Sequence, residues 1–324
     1  MAVRVVCLGA VNLDLIYRVE DLSPFIEAVP GLTPGGEAAL DAAAEERVQE
    51  LLARQGRLMG KSGGGQAANT AFALARLGLP AVLVGRVGQD EDGRFLKESL
   101  VGVNLEYLRQ AGESGRAYVL VDTGGERTIL VAPNTNDELD EADVPWEVLE
   151  QADFVHFTSF VGEGPLRVQR RAARRLKKKN GPVLTLDPGE LYARRGREGL
   201  EDLLARVETL LVTEAEWLAL GGHLDCHPEW APPYVLIKRG ALGARLLMEG
   251  YYQDFPAEPP ARLVDTLGAG DVFAAGYLAG RASGLKLAQA VLLAVKAAAC
   301  SLAGTGREAY PDREFLERHL SRWR

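Results

Sequence analysis

The sequence predicts an α/β fold, in which a mostly parallel central sheet lies between two layers of helices and carries a small antiparallel flap. Apolar, strand-like runs alternate with helical stretches along the chain, as expected for a parallel sheet that is covered on both faces. Residues 14–21 and 116–133 differ, because they alternate in polarity or fold back at the turn Thr123-Gly124-Gly125-Glu126. Ligands of such folds collect at the carboxyl ends of the parallel strands.

Six apolar runs are the predicted strands of the central sheet. They are VRVVCLGA at 3–10, AVLVGRV at 81–87, FVHFTS at 154–159, VLTLD at 183–187, TLLVT at 209–213 and YVLIK at 234–238. A further helix is predicted between Glu37 and Arg57, after the loop VPGLTPGG. Its apolar residues share one stripe of helical surface: Leu40, Ala44, Val48, Leu51 and Leu52.

Composition limits the classes of protein to consider. The 324 residues, 47% of them hydrophobic, suffice for one large α/β domain or two smaller ones. A net charge of -8 argues against a nucleic-acid partner, because binding to phosphates needs a positive field. No run of 18 apolar residues occurs and the first residues do not read as a signal peptide, so we expect a cytoplasmic protein without a membrane partner.

The cysteines do not predict a disulfide framework. Cys7, Cys226 and Cys300 are few and widely spaced. His223, Cys226 and His227 could offer metal ligands, but no second half-site accompanies them, and a polar surface loop is the simpler interpretation.

Two glycine-containing stretches imitate nucleotide-binding loops. Gly60-Lys61-Ser62 ends like a P-loop, but Gln55 stands where that loop requires a glycine. Next to it, GGGQAA places two glycines and Ala68 in the loose dinucleotide pattern G-x-G-x-x-A. The expected acidic residue at a strand end is not in place, since Asp90 falls in a loop. This pattern is the one support for an NAD-dependent oxidoreductase.

A third stretch, DTLGAGDVFAAGYLAG, combines an anion-binding turn with a carboxylate. Gly268, Ala269 and Gly270 allow backbone N–H groups to converge where an apolar helix begins, and such helix ends bind anions. Asp271 follows directly, and as a general base it could accept the proton of a hydroxyl that attacks a phosphoryl group. Alternatively, it complements the helix dipole, which stabilises by at most about 1 kcal/mol. The residues alone leave both interpretations open.

Together these pieces resemble the ribokinase-like (PfkB-type) carbohydrate kinase family from about Val3 to about Pro311. DTLGAGD is similar to the family's C-terminal motif, and GGQAANTAFALARLG at 64–78 to its N-terminal glycine pair and helix. GRVGQDEDGRFL at 85–96 resembles the loop and helix that usually follow, and GGERTILVAPNTNDEL the flap strand and the segment after it. The resemblance implies one kinase domain over 1–324, a lid formed by 14–36 and 115–133, and an inserted helix at 37–57.

The resemblance also implies roles for the residues around the acceptor. Asp271 would be the catalytic base, and the amides of Gly268, Ala269 and Gly270 would form the anion hole. Asp14, in the pattern Asn12-Leu13-Asp14, would hold hydroxyls of the acceptor. The remaining residues of the acceptor pocket would be Gly64, Gly65 and Asn69.

For the nucleotide, the resemblance implies ATP with Mg²⁺. The implied ATP neighbours are Lys238, Gly240 and Gly243 in IKRGALGA, with Thr213, Asp265 and Thr266; Gly240 and Gly243 could equally be turn glycines. Glu216 would act on phosphate-bound Mg²⁺ through water. Thr213 departs from the family's usual Asn in N-x-x-E. SLAGTGRE, after Cys300, lies where some relatives bind a monovalent cation, and whether one binds here stays open.

The expected activity is transfer of the γ-phosphate of ATP to a primary hydroxyl of a small sugar, with a nucleoside kinase of the same family as the alternative. A non-catalytic ligand sensor is disfavoured because both Asp14 and Asp271 are present. The inserted helix is expected beside the acceptor mouth or at a subunit contact. An exposed flap edge would favour a homodimer.

Overall fold

The structure is a computed structural model, and it describes residues 5–323 of the chain. Its larger sheet has nine strands among these residues, in the order β14-β13-β12-β11-β10-β9-β1-β5-β6. They are β1 (Val5–Leu8), β5 (Ala81–Val87), β6 (Leu108–Gln110), β9 (Phe154–Thr158), β10 (Val183–Asp187), β11 (Thr209–Thr213), β12 (Tyr234–Lys238), β13 (Ala244–Met248) and β14 (Tyr251–Phe255). The six apolar runs therefore form strands, and residues 3 and 4 of the first run lie outside the described part.

The sheet is parallel from β6 to β12, and only β13 and β14 at one edge pair antiparallel. All four residues of β1 are fully buried, because helices cover both faces of the sheet. The predicted mostly parallel sheet is confirmed. Its strands from β1 to β12 end at the same edge, so polar residues that follow them are brought together there.

Ten of the twelve α-helices in residues 5–323 form two layers that enclose the sheet. The helices are α1 (Ser23–Ala28), α2 (Ala42–Gln55), α3 (Gln66–Arg76), α4 (Glu91–Ser99), α5 (Trp146–Gln151), α6 (Glu163–Leu176), α7 (Gly189–Ala193), α8 (Gly196–Leu204), α9 (Glu214–Ala219), α10 (Ala269–Ala282), α11 (Leu287–Ser301) and α12 (Arg313–Trp323). Helices α3, α4 and α10 to α12 cover one face, and α5 to α9 cover the other. The three-layer prediction is therefore confirmed. Among residues 5–323, no helix combines the length and the apolar composition that crossing a bilayer requires.

Helix α10 is anchored by close packing against α11. A Cβ on Gly276 would lie 2.9 Å from the Cα of Ala294, and one on Gly280 would lie 3.0 Å from the Cα of Ala290. Glycine at these two positions therefore allows the two backbones to approach. Residues 271–280 are all buried as a result, which makes the start of α10 a rigid support for a site.

A second sheet forms the lid. Its strands are β2 (Asn12–Arg18), β3 (Glu37–Ala39), β4 (Arg57–Gly64), β7 (Gly115–Val121) and β8 (Arg127–Ala132), in the order β3-β8-β7-β2-β4. The predicted hairpin of β7 and β8 is present, and β4 also pairs antiparallel with β2. The sheet is nevertheless mixed, because β2 runs parallel to β7 and β3 parallel to β8. Sequence patterns do not reveal which strands become neighbours, and the antiparallel prediction holds only in part.

The helix predicted at 37–57 is shorter, because its first residues belong to the lid sheet. Glu37–Ala39 is β3, and the Leu40 N–H donates to the Val131 carbonyl over 2.8 Å. The helix begins where the Asp41 carboxylate accepts from the Ala44 N–H over 2.7 Å, an N-terminal cap. The predicted stripe is otherwise present, since α1 and α2 pack an apolar face on the outer side of the lid sheet. At its far end, Arg57–Gly64 is an edge strand that the sequence analysis missed.

Candidate active site

A cleft of 270 Å³ lies between the lid and the carboxyl ends of the central strands, at the small end of the range for ligand sites. Its lid side is apolar, because Ala117, Val119, Ile129 and Val131 alternate along β7 and β8 with residues that face α1 and α2. The opposite side is polar. The polar lining includes Asn12, Asp14, Glu37, Asn69, Glu190, Glu216 and Asp271.

The start of α10 presents an anion-binding end to this cleft. Gly268 caps the helix in the left-handed conformation, with φ of 76°, and a Cβ there would lie 2.3 Å from the hydroxyl of Tyr310. The Ala269 N–H donates to the Thr266 carbonyl over 3.3 Å. Among the described residues, the amides of Gly268 and Gly270 have no hydrogen-bond partner. Two free N–H groups and the helix dipole therefore act at one point.

Lys238, at the end of β12, adds a full positive charge beside these amides. Its Nζ lies 3.3 Å from the position that a Cβ on Gly270 would take. The same Nζ lies 2.6 Å from the Oδ2 of Asp187, the last residue of β10. Although burial disfavours the ammonium, the nearby carboxylates of Asp187 and Glu216 outweigh it and raise the pKa of Lys238. The lysine is therefore charged at neutral pH and can face an anion.

Asp271 is the third residue of α10 and is only 8% exposed. Its Oδ2 accepts a hydrogen bond of 2.8 Å from the Nδ2 of Asn69 in α3. Burial raises the pKa of Asp271 to about 7, against the opposing effect of the Asn69 hydrogen bond. A carboxyl group with this pKa can both gain and lose a proton near neutral pH, which is what general base catalysis requires.

Asp14 enters the cleft from the lid strand β2. A Cβ on Gly64, in the neighbouring strand β4, would lie 2.0 Å from Asp14 Oδ1, so only glycine leaves room for this carboxylate. Burial raises the pKa of Asp14 to about 7, and the charge of Arg307 opposes the rise. Asp14 and Asp271 therefore share one cleft but come from different parts of the fold.

Asn12 and Gly65, two more of the predicted acceptor-site residues, are positioned by contacts with neighbouring residues. Asn12 Oδ1 accepts from Asn136 Nδ2 over 2.9 Å, and Asn136 also bonds both the N–H and the carbonyl of Val11. Gly65 caps α3 with φ of 90°, and a Cβ there would lie 2.4 Å from the Ala10 carbonyl oxygen. Asn12 and Gly65 both line the cleft.

Glu216 and Thr213 form a capping box at the start of α9. Thr213 N–H donates to Glu216 Oε2 over 2.8 Å, and Glu216 N–H donates to Thr213 Oγ1 over 3.2 Å. Threonine thus caps this helix where the family usually carries asparagine. Burial raises the pKa of Glu216, and Lys238 opposes the rise. Glu216 also lines the cleft, so its carboxylate can face a ligand.

None of the six predicted ATP neighbours is part of the cleft lining, and the four other than Lys238 and Thr213 have the following contacts or surroundings. Gly240 and Gly243 form the turn between β12 and β13, with φ of 55° and 90°, which is the simpler of the two interpretations. Thr266 is exposed. Asp265 accepts from the N–H groups of Leu267 and Gly306 and pairs with Arg127 of the lid over 2.6 Å.

Several residues in or beside the cleft were not predicted as site residues. Glu37 lay inside the predicted helix at 37–57, so the sequence pattern there did not indicate a site residue. Asp187 and Glu190 lie in DPGE, at the end of a strand of the parallel sheet, and that position could have identified them. Asn136 and Arg307 lie in two segments that the resemblance covers, GGERTILVAPNTNDEL and SLAGTGRE, but no pattern singled out either residue.

The competing motifs have the wrong structural context. Gly60-Lys61-Ser62 lies within β4, so it forms no loop around a phosphate. The G-x-G-x-x-A pattern begins at Gly63, inside the same antiparallel edge strand, whereas a dinucleotide site needs a turn after a parallel strand. The oxidoreductase alternative loses its support. The described residues contain no group of three or more His, Cys, Asp or Glu side chains arranged to hold a metal ion.

Comparisons with known proteins identify similar chains. The family model described as pfkB family carbohydrate kinase matches residues 3–312. An ATP-dependent ribose-1-phosphate kinase of Halopiger xanaduensis is 32% identical over 287 residues, which cover 86% of this chain and 84% of that protein. A fructokinase of Klebsiella pneumoniae is 32% identical over 248 residues, covering 71% of this chain and 80% of that protein.

Solved structures share the whole fold. Adenosine kinase from Sinorhizobium meliloti superposes with a TM-score of 0.85 at 23% identity, covering 99% of this chain and 100% of that one. Arabidopsis thaliana ribokinase complexed with ribose and ATP has a TM-score of 0.76 at 25% identity, covering 99% of both chains.

The buried carboxyl group of Asp14 predicts a pH-dependent change in stability. Its pKa is raised to about 7 in the folded protein, so the folded state binds more protons than the unfolded state between the ordinary value and about 7. This stabilising contribution is lost as pH rises through about 7. The side chain of the Asp14→Asn variant carries no charge, so the stability of this variant does not fall when the Asp14 carboxyl group of the wild type ionises. We expect its melting temperature to exceed that of the wild type at about pH 8 and the difference to shrink towards about pH 4. A difference that is equal at both pH values would contradict this prediction.

Proposed function

Because this chain belongs to the pfkB family of carbohydrate kinases, we propose that it transfers the γ-phosphoryl group of ATP to a primary hydroxyl of a small sugar. The observation that carries the proposal is the start of α10, where two free amides and Lys238 lie next to Asp271. This arrangement places positive charge where a phosphoryl group can be held and a proton acceptor beside it.

The proposed step uses each of these groups once. Asp14 and Asn12 hold hydroxyls of the sugar, and Asp271 accepts the proton of the attacking hydroxyl. The hydroxyl oxygen forms a bond to the γ-phosphorus while the bond between that phosphorus and the ADP oxygen breaks. The Gly268 and Gly270 amides and the Lys238 ammonium stabilise the charge spread over the transferred group. Lys238 can do so because its pairing with Asp187 holds it at the helix start.

The residues present also fit Mg²⁺ bound to the nucleotide. Glu216 lines the cleft and is one hard oxygen ligand, which suits an ion that keeps most of its waters. When bound, Mg²⁺ supplies charge neutralisation for the triphosphate. No monovalent cation enters the proposal, because Asp265 near the 302–308 loop already pairs with Arg127 and accepts from the Gly306 N–H.

The lid would exclude water during the transfer. Its apolar strands face the cleft, and Arg127 at the end of the β7–β8 hairpin reaches Asp265, which lies just before the α10 cap. Water in the cleft would compete with the sugar hydroxyl for the phosphoryl group. The reaction needs ATP, and we place it in the cytoplasm, which cell fractionation would check.

The lining of the cleft favours an uncharged acceptor. Among the described residues that line it, five are carboxylic acids and none is lysine or arginine. An anionic group on the acceptor would therefore lie among Asp14, Glu37 and Glu190, and the nearby Arg194 is already paired with Glu190. The apolar lid face, with Val119 and Ile129, also suits the less polar part of a nucleoside, so a nucleoside kinase is the second candidate.

Replacing the proposed base tests the reaction. Asp271→Asn keeps the size of the side chain but cannot accept the proton, so we expect kcat to fall by about 10²- to 10⁴-fold. ATP binding should persist, because this substitution leaves the amides and Lys238 in place. An assay coupled to ADP release measures kcat, and calorimetric titration with ATP measures the binding of the nucleotide. Asp41→Asn, at the α2 cap where asparagine is an equal substitute, is the matched control and should retain wild-type turnover. Near-normal turnover of Asp271→Asn would make the base assignment untenable.

A panel of acceptors tests the preference for an uncharged molecule. We expect ribose, fructose or a nucleoside to give a higher kcat/KM than ribose 1-phosphate, because the latter brings an anion among carboxylates. Glu190→Gln should raise kcat/KM for ribose 1-phosphate and so reduce the difference between the acceptors. For the neutral acceptors, kcat/KM should change little. Steady-state ADP release with each compound measures the ratios. A clear preference of the wild type for ribose 1-phosphate would refute the prediction.

We also propose that the protein is a homodimer joined through the lid. Strand β4 is an edge of the lid sheet, and Leu58 and Met59 on it are 53% and 51% exposed. An exposed apolar edge strand favours pairing with a second copy. We expect light scattering to give twice the chain mass, and Leu58→Lys combined with Met59→Lys to give the monomer mass. A monomeric wild type would refute the proposal.

A further inference from the structure

Arg307, which the sequence analysis did not assign, is connected to the proposed base through one side chain. It lies in the loop between α11 and α12, and its Nε donates to Asn69 Oδ1 over 3.0 Å. The Nδ2 of the same amide donates to Asp271 Oδ2 over 2.8 Å. Arginine, asparagine and aspartate therefore form a continuous chain of hydrogen bonds that ends on the carboxylate.

A dedicated cradle holds the guanidinium in place. Its Nη1 donates to Ser99 Oγ over 3.2 Å, and its plane lies over the ring of Phe72, 5.0 Å from the centroid. A Cβ on Gly63 would lie 3.0 Å from Nη1, so glycine at that position leaves room for the group. Nη2 is buried and has no hydrogen-bond partner among residues 5–323. Keeping an arginine buried under these conditions is costly, which points to a role other than stability.

The chemistry of the two partners determines which way the amide of Asn69 faces. A guanidinium only donates hydrogen bonds, so the amide atom that faces it must be Oδ1. Nδ2 is then directed at Asp271, where it stabilises the ionised carboxylate. Without the guanidinium, the amide could turn over and present Oδ1 to Asp271. That orientation would stabilise the protonated carboxyl group instead, which cannot act as a base.

We propose that Arg307 is a positioning residue for phosphoryl transfer, holding the Asn69 amide in the orientation that keeps Asp271 ionised and aimed at the acceptor hydroxyl. The inference rests on the proposed function of Asp271. Arg307 has no ion-pair partner within 4.0 Å among the described residues. Its charge also acts on Asp14, where it opposes the rise in pKa that burial causes.

Other charged and titratable groups face Asp271 as well, and they stay constant in the test. They are Asp187 from β10, Lys238 from β12, Asp14 from β2, Cys7 from β1 and Tyr310 from the loop that also carries Arg307. Arg307→Met removes both the hold on the amide and a positive charge that acts on Asp271 directly, whereas Arg307→Lys keeps the charge and so separates the two effects. With the amide free to turn, the pKa of Asp271 rises and the acid limb of the kcat profile moves to higher pH.

A double-mutant cycle tests whether Arg307 acts on Asp271 through the amide of Asn69. Arg307→Met should lower kcat by about 10- to 100-fold and move the acid limb to higher pH. In the Asn69→Ala background the same substitution should cost less than about threefold, because the amide through which it acts is already gone. Arg307→Lys, which keeps the charge but lacks the planar fork, should lie between the wild type and Arg307→Met. Ser99→Ala removes only the outer contact and should leave the acid limb at the wild-type pH.

Melting curves establish that each variant folds, and Arg307→Lys carries the test if Arg307→Met does not fold. Multiplicative effects of Arg307→Met and Asn69→Ala, or an acid limb at the wild-type pH in both Arg307 variants, would overturn the proposal. Asp271→Asn is measured in the same assay. If the wild type transfers phosphate and Asp271→Asn does not, the proposed function stands whatever the cycle shows about Arg307.

Discussion

The burial of one carboxylate at the positive end of a helix is the constraint on which the site depends. Asp271 lies in the first turn of α10, where the helix dipole and the nearby ammonium of Lys238 favour the charged form, while burial disfavours it. These opposing effects leave its pKa near 7. A more exposed carboxylate would be a weaker base, and a more isolated one would remain protonated.

This balance requires that α10 does not move. Gly276 and Gly280 allow α11 to pack directly against its backbone, and Gly268 ends the preceding turn against Tyr310. The residues that tune Asp271 then come from three other directions: Asn69 from α3, Lys238 from the end of β12, and Asp14 from the lid. The cleft is therefore assembled by the parallel sheet, whose strands bring distant residues to one edge.

The lid covers the cleft and also contacts the loop that leads into α10. Its inner face is apolar, it contributes Asp14 and Asn12 to the cleft lining, and its Arg127 pairs with Asp265 in the loop before α10. Residues 37–57 supply β3 and α2, which packs on the outer face of the lid sheet, and the edge strand β4 begins at the last of them. This segment is therefore packed into the lid, and the edge strand that follows it is the surface on which the proposed homodimer depends.

Local patterns in the sequence determined six of the nine described strands of the central sheet, the β7–β8 hairpin, the family and the turn that opens α10. Each of these depends on residues that are close along the chain: apolar periodicity, a glycine turn, a helix start. The tertiary structure alone decided that Glu37 begins a lid strand and that β2 runs parallel to β7. It also decided that Glu190 lines the cleft and that the charge of Arg307 acts on Asp14 and Asp271. Strand neighbours and buried charge networks join residues far apart in sequence, and their pairing follows from packing and desolvation, which no short stretch of sequence encodes.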